Sequence, residues 1–178
     1  MLTKPKFRVL AVDDTRSNLV VLSAILQDDY EVVTAQDGAS ALVIAASASP
    51  PDIILLDIVM AGMDGFEVCR ALKQNPLTAS IPVIFLTSRS DVEDLTRGFE
   101  LGAVDYIAKP IVEAVVVARL KTHIQLMQYS RRLEASVRQR TQALEYVQGK
   151  LERLIDFGIS MGSERDRMAL LHKILSGG

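Results

Sequence analysis

Residues 53–57 read Ile-Ile-Leu-Leu-Asp: four large apolar side chains in a row, then a carboxylate. A strand with one wet face alternates apolar and polar residues, whereas an unbroken run suits a strand buried on both faces. Related runs occur at Arg8–Val12 (RVLAV), Tyr30–Thr34 (YEVVT), Val83–Leu86 (VIFL) and Val104–Ile107 (VDYI). Between them lie longer segments with helical spacing, such as Leu19, Leu22, Ile25 and Leu26, or Phe66, Cys69, Arg70 and Leu72. Strand and helix alternating five times predicts an α/β fold, a five-stranded parallel sheet doubly wound by helices.

Such a sheet places its ligand site beyond the carboxyl ends of the strands, where the strand order reverses. Each run here ends in something polar. The first ends at Asp13 and Asp14, the third at Asp57 and the fourth at Thr87 and Ser88, and Lys109 follows the fifth. A lone aspartate at a strand end is usually a turn former or helix cap. Three on adjacent strand ends repel one another and raise one another's pKa. A hard divalent cation with oxygen ligands, Mg²⁺ or Mn²⁺, resolves that conflict. Lys109 adds a fixed positive charge, and Thr87 a hydroxyl donor.

Composition agrees. Hydrophobic residues are 49% of the chain and charged residues 24%, so a packed core is available. No run of about 18 apolar residues exists to cross a membrane, and no signal-peptide pattern opens the sequence. A lone cysteine, Cys69, excludes an internal disulfide and fits a reducing compartment, so a cytoplasmic location is expected. The charge of −2 is uneven: residues 1–110 carry nine Lys/Arg against fifteen Asp/Glu, and residues 111–178 carry eleven against seven. The acidic part suits a cation. The basic part mixes its signs and lacks aromatic stacking platforms, which argues against nucleic-acid binding.

After Pro110 the character changes. From Ile111 to Asp156, 46 residues contain no proline and one glycine, Gly149. A continuous helix of that span would be roughly 69 Å long. Its apolar positions thin into a heptad: Leu126, Leu133, Val137, Leu144, Val147, Leu151 and Leu154, interrupted by Ser130 and Arg140. Spacings of three and four with charge elsewhere indicate a coiled coil, here expected to be a parallel homodimer. The alternative is an amphipathic helix folded back on its own domain. Residues 157–178 read as a break at Gly158–Gly162 followed by a further amphipathic helix. The expected division is residues 1–122, 123–156 and 157–178.

Five separated motifs now stand in order: VDD (Val12–Asp14), LLD (Leu55–Asp57), MDG (Met63–Gly65), LTS (Leu86–Ser88) and KP (Lys109–Pro110). Over residues 6–120 the chain resembles the receiver domain of two-component response regulators. The resemblance implies a CheY-like, flavodoxin-like fold with Asp57 as phosphoacceptor for a sensor histidine kinase or phosphotransfer protein. It implies Mg²⁺ held by Asp13, Asp14, Asp57 and the backbone carbonyl of Val59, and Lys109 on the phosphate. Thr87 becomes the switch hydroxyl, Tyr106 the switch aromatic, and the Lys109–Pro110 bond cis. On the bland view Tyr106 is an ordinary half-buried strand aromatic. One departure is visible: Ala61 stands where the family usually has proline, which predicts a freer loop.

Val137–Leu144 (VRQRTQAL) resembles the signalling helices that join sensory and output modules, and the last twenty or so residues resemble the opening helix of a GAF-type domain. These likenesses imply a piece of a longer regulator, whose output is often a cyclic-dinucleotide phosphodiesterase or cyclase. The chain itself is expected to catalyse nothing beyond its own phosphorylation and dephosphorylation. The rivals are a non-phosphorylated receiver used for dimerisation, a free-standing phosphorelay shuttle, and a haloacid-dehalogenase-type hydrolase. The last wants an acid where Val59 stands. His123 and His172 are expected to be solvent-facing, Cys69 to lie in the core, and Met60 and Met63 to pack locally.

Overall fold

A computed structural model describes residues 6–88 and 92–175. The chain divides into two compact units, Met1–Met127 and Gln128–Gly178. In the first unit the strands are β1 Arg8–Val12, β2 Glu31–Ala35, β3 Ile53–Asp57, β4 Val83–Thr87 and β5 Asp105–Ala108. They alternate with α1 Arg16–Leu26, α2 Gly38–Ala45, α3 Gly65–Gln74, α4 Val92–Glu100 and α5, which begins at Glu113. The sheet order is β2-β1-β3-β4-β5 and every pairing is parallel. The expected sheet is present; β2 and β5 each start one residue later than the apolar runs suggest.

The strands explain the two-layer core. Side chains alternate across a strand, so Leu10, Val12, Ile54 and Leu56 enter one cluster with Phe66, Val68 and Leu72 of α3. Val9, Ala11, Ile53 and Leu55 enter the other, with Leu19, Leu22 and Leu26 of α1 and Val116 and Leu120 of α5. The four apolar residues of β3 are fully buried. Each contributes about 1.5–3 kcal/mol relative to an exposed side chain, which is why IILL tolerates no polar interruption.

Local signals set the helix starts beside the sheet edge. Asp64 caps α3 by accepting from the Glu67 amide at 2.8 Å, while the Glu67 carboxylate accepts from the Asp64 amide at 3.0 Å. Two orphan amides are thereby satisfied reciprocally. Gly65 follows because nothing larger fits: a Cβ there would lie 2.2 Å from the Asp57 carbonyl oxygen. The Gly65 amide also donates to Ile58 O at 2.9 Å, holding the start of α3 against the end of β3.

Helix α5 spans Glu113–Leu175, 63 residues. The expected break at Gly158–Gly162 is not there. Isolated glycines cost a helix only about 1 kcal/mol each, and without a proline every amide keeps its donor. Among the described residues of the second unit α5 is the one element. Along it Leu133, Val137, Leu144, Val147, Leu151 and Leu154 are all exposed. No described helix is long and apolar enough to cross a membrane.

Candidate functional site: a carboxylate pocket closed by one lysine

The strand order reverses between β1 and β3, and the chemistry gathers there. Ligand oxygens of Asp13, Asp14 and Asp57 lie within 4.8 Å of one another. Asp13 and Asp57 are buried and Asp14 is exposed. The Lys109 ammonium sits 2.8 Å from Asp13 Oδ2 and 2.8 Å from Asp57 Oδ2. The Lys109 amide donates to Thr87 O at 2.7 Å, fixing the backbone beside the end of β4, and the Lys109–Pro110 bond is cis. Thr87, the last residue of β4, is buried.

The two acids of the pair are held differently. Asp13 accepts from the Thr15 amide at 2.9 Å and from Asn18 Nδ2 at 3.1 and 2.9 Å, in addition to Lys109. Asp14 accepts from Thr15 Oγ1 at 3.3 Å and from the Ala61 amide at 2.9 Å. The second contact corrects the expectation about Ala61. A proline has no N–H to give, whereas alanine ties the loop after Asp57 to Asp14. Thr15, Asn18 and the Ala61 amide went unread in the sequence. Asn18 carries a faint signal, standing one turn into α1 behind the acidic pair.

Electrostatics set the resting state. Burial pushes the Asp57 carboxyl above its ordinary value of 3.8, and repulsion from Asp13 adds to this. The Lys109 contact and the Val59 amide pull the other way without winning. Burial acts to lower Lys109, yet its hydrogen bonds to Asp13 and Asp57 hold it above 10.5. The two directions are compatible. The ammonium sees two carboxylates, while Asp57 shares one ammonium and faces another acid. Three carboxylates against one cation leave the pocket short of positive charge, and its donors are all hard oxygens. Those donors fit a small divalent cation.

Tyr106, on β5, is half-buried and meets Phe99 of α4 edge-on, with ring centroids 6.3 Å apart. Its neighbour Asp105 anchors a second cluster. Asp105 accepts from Arg119 Nη1 at 3.1 and 2.9 Å and lies 2.9 Å from His123 Nε2. His123 is therefore not the solvent-facing residue expected. His123 lies one helical turn along α5 from Arg119, so both side chains meet the buried Asp105 carboxylate of β5. Cys69 is in the core, as expected, and Met60 is buried.

This cluster gives a pH-dependent prediction. Burial alone would raise Asp105, but hydrogen bonds from His123, the Tyr106 amide and Arg119 outweigh it and hold the pKa below 3.8. A lowered folded-state pKa contributes stability above the ordinary carboxylate value, lost as pH falls through the folded value. Asp105→Asn is expected to cost about 1–2 kcal/mol at pH 7, discounted for the half-exposed Arg119. The difference from the parent in urea midpoint should begin to close as pH falls below the ordinary carboxylate value of 3.8 and vanish only below the lower folded value. A gap that does not narrow at all as pH falls below 3.8 would assign the loss to packing rather than charge.

Residues 9–121 match the family described as the response regulator receiver domain. The chain is 42% identical to a probable cyclic di-GMP phosphodiesterase of Vibrio cholerae over 147 residues, 79% of this chain and 33% of that protein. It is 47% identical to the response regulator PleD of Caulobacter vibrioides over 116 residues, 65% of this chain and 25% of that protein. The chain thus spans a third or less of these relatives' length. The fold of the Vibrio cholerae chemotaxis protein CheY4 superposes with a TM-score of 0.63 at 35% identity, covering 66% of this chain and 98% of that one. The matched segment contains the whole carboxylate pocket and the sheet edge that builds it, and the chain belongs to the response regulator receiver family.

Proposed function

We propose that the chain is a phosphorylation switch that takes a phosphoryl group on Asp57 from a sensor histidine kinase or phosphotransfer protein. The Lys109 ammonium, 2.8 Å from both Asp13 and Asp57, is the observation that carries this reading. It stands where a phosphoryl oxygen on Asp57 would need a counter-charge. An Asp57 carboxylate oxygen attacks phosphorus, the P–N bond to the donor histidine breaks, and the imidazole leaves with the electron pair. Asp13, Asp14, Asp57 and the Val59 carbonyl would hold Mg²⁺ or Mn²⁺. When bound, that ion offsets the negative charge shared by the pocket and the phosphoryl group.

Downstream, Thr87 turns its hydroxyl to the phosphoryl oxygens and Tyr106 follows, remodelling the face built from α4, β5 and α5. Helix α5 passes the change to a C-terminal output, with two copies paired in parallel along the heptad stripe. The switch biases a two-state element, as a local charge change must to act at a distance. The likeness to the Vibrio cholerae phosphodiesterase covers more of this chain than the receiver segment does, so it runs on into α5. That favours an output of cyclic-dinucleotide chemistry, in the cytoplasm. Incubation with acetyl phosphate should add one phosphoryl group by intact mass in Mg²⁺ and none after chelation with EDTA. Absence of labelling in Mg²⁺ would leave a receiver that serves only for dimerisation.

A further inference from the structure

Asp13 and Asp14 are neighbours in sequence but are not equally held. Asp13 is buried and fixed by Thr15, Asn18 and Lys109. Asp14 is exposed, and ordering an exposed side chain costs rotamer freedom. Its contact with the Thr15 hydroxyl is long at 3.3 Å and comes from the next residue, which does not direct it across the pocket. The Ala61 amide does. It lies 2.9 Å from Asp14 Oδ2 and 47 positions away in the chain, on the loop that follows Asp57.

That loop is shaped to present its amides to the pocket. Its base is closed by the Gly65 amide donating to Ile58 O at 2.9 Å. Met60 is buried in the core, while Val59 and Ala61 on either side of it are exposed. The Val59 amide hydrogen-bonds to Asp57, so alternate amides of one short segment reach two of the three carboxylates. Gly62 then turns the chain at a φ of +80°, a conformation that glycine adopts without penalty. A Cβ there would meet nothing within 4 Å, so the backbone and not the space demands glycine.

With the Ala61 contact made, ligand oxygens of Asp13, Asp14 and Asp57 lie within 4.8 Å of one another. The hydrogen bond and the convergence of the acids therefore coexist. A carboxylate oxygen has more than one acceptor direction, so taking the amide leaves room for a cation. We infer that the Ala61 N–H is a positioning group for the divalent-cation site. It removes the orientational freedom of Asp14 before an ion arrives and ties that acid to the loop carrying the Val59 carbonyl. This rests on the cation site proposed above and names a residue that tunes its affinity. Groups that orient a metal ligand from outside the coordination sphere are worth about 10–100-fold in metal affinity.

Calorimetric titration with Mg²⁺ on the parent and two variants separates the N–H from the stiffness of the loop. Ala61→Pro deletes the N–H and stiffens the backbone, whereas Ala61→Gly keeps the N–H and loosens it. The Kd for Mg²⁺ should rise about tenfold or more in Ala61→Pro and stay within about threefold of the parent in Ala61→Gly. Equal affinity in all three, or weaker binding only in Ala61→Gly, would overturn the inference. A parent that binds no Mg²⁺ would sink the cation site itself, and this inference with it. The unmodified chain gives a second readout that does not depend on how well the proline variant folds. Coupling is reciprocal, so an amide that favours the ion is itself favoured by the ion. Saturating Mg²⁺ should slow hydrogen exchange at the Ala61 amide by about tenfold. The reference is the Asn75 amide, which donates to Ala71 O at the other end of α3 and should slow far less. Exchange at Ala61 that is unchanged or faster in Mg²⁺ would mean that the amide does not assist the ion at Asp14, and the inference fails.

Discussion

Replacing Asp57 with asparagine is expected to abolish acetyl-phosphate labelling and, without divalent cations, to raise the melting temperature. The first effect needs little argument, since an amide oxygen cannot act as the attacking carboxylate. The second follows from the pocket's charge. Asp57 is buried at 4% exposure and its pKa is raised, with desolvation the largest cause. A raised folded-state pKa contributes stability that is present below the unfolded value and lost as pH rises through the folded value. At pH 7 the ionised Asp57 therefore costs stability, and asparagine removes that cost. A gain of about 1 kcal/mol corresponds to a rise of roughly 3–6 °C for a unit of this size.

Intact mass after acetyl phosphate reads the labelling, and calorimetry in EDTA reads the stability. Repeating the scan from pH 7 to pH 4 separates charge from shape. The variant's advantage should shrink as pH falls and Asp57 in the parent takes up a proton. Residual labelling of the variant would move the phosphoacceptor to another residue. An unchanged melting temperature would mean that Lys109 already neutralises Asp57, and that the pocket has no unmet demand for a cation.

The sheet was legible because burial on both faces leaves a one-sided signature in sequence. IILL and VIFL admit no polar residue, and their terminal Asp57 and Thr87 mark the carboxyl edge. The acids and Lys109 were legible for a related reason: ionic groups at strand ends have few bland explanations once several coincide. What escaped was whatever depends on backbone direction. The Ala61 amide became a tether for Asp14 by virtue of an N–H, which every residue except proline possesses, so the letter gave no hint. Thr15 and Asn18 hold Asp13 through a turn whose geometry composition does not encode. His123 was misread because its partner, Asp105, lies 18 positions away on β5, and helical spacing alone says nothing of a carboxylate across the gap. The run through Gly158–Gly162 belongs with these cases: each glycine lowers helix propensity by only about 1 kcal/mol, too little to end a helix that continues on both sides.

Removing Lys109 tests the other half of the pocket and should produce the larger change, a loss of stability. Lys109→Met keeps the length and apolar stem of the side chain and deletes only the ammonium. Two buried carboxylates, Asp13 and Asp57, then lose a contact of 2.8 Å each. Breaking a buried ion pair from one side costs about 3–5 kcal/mol, because the charges left behind are uncompensated. The melting temperature in EDTA should fall by roughly 10 °C or more. The raised pKa of Lys109 means its contribution is complete at neutral pH and would be lost only on strongly alkaline titration. If Asp13, Asp14 and Asp57 hold a divalent cation, Mg²⁺ should restore much of the loss. A ligand stabilises by RT ln(1 + [L]/Kd), and deleting a competing ammonium lowers Kd. The rise in melting temperature with Mg²⁺ should thus be steeper for Lys109→Met than for the parent. Equal slopes would mean that the ammonium and the ion do not share the same carboxylates. A variant as stable as the parent in EDTA would mean that protons on the acids, and not Lys109, keep the resting pocket intact.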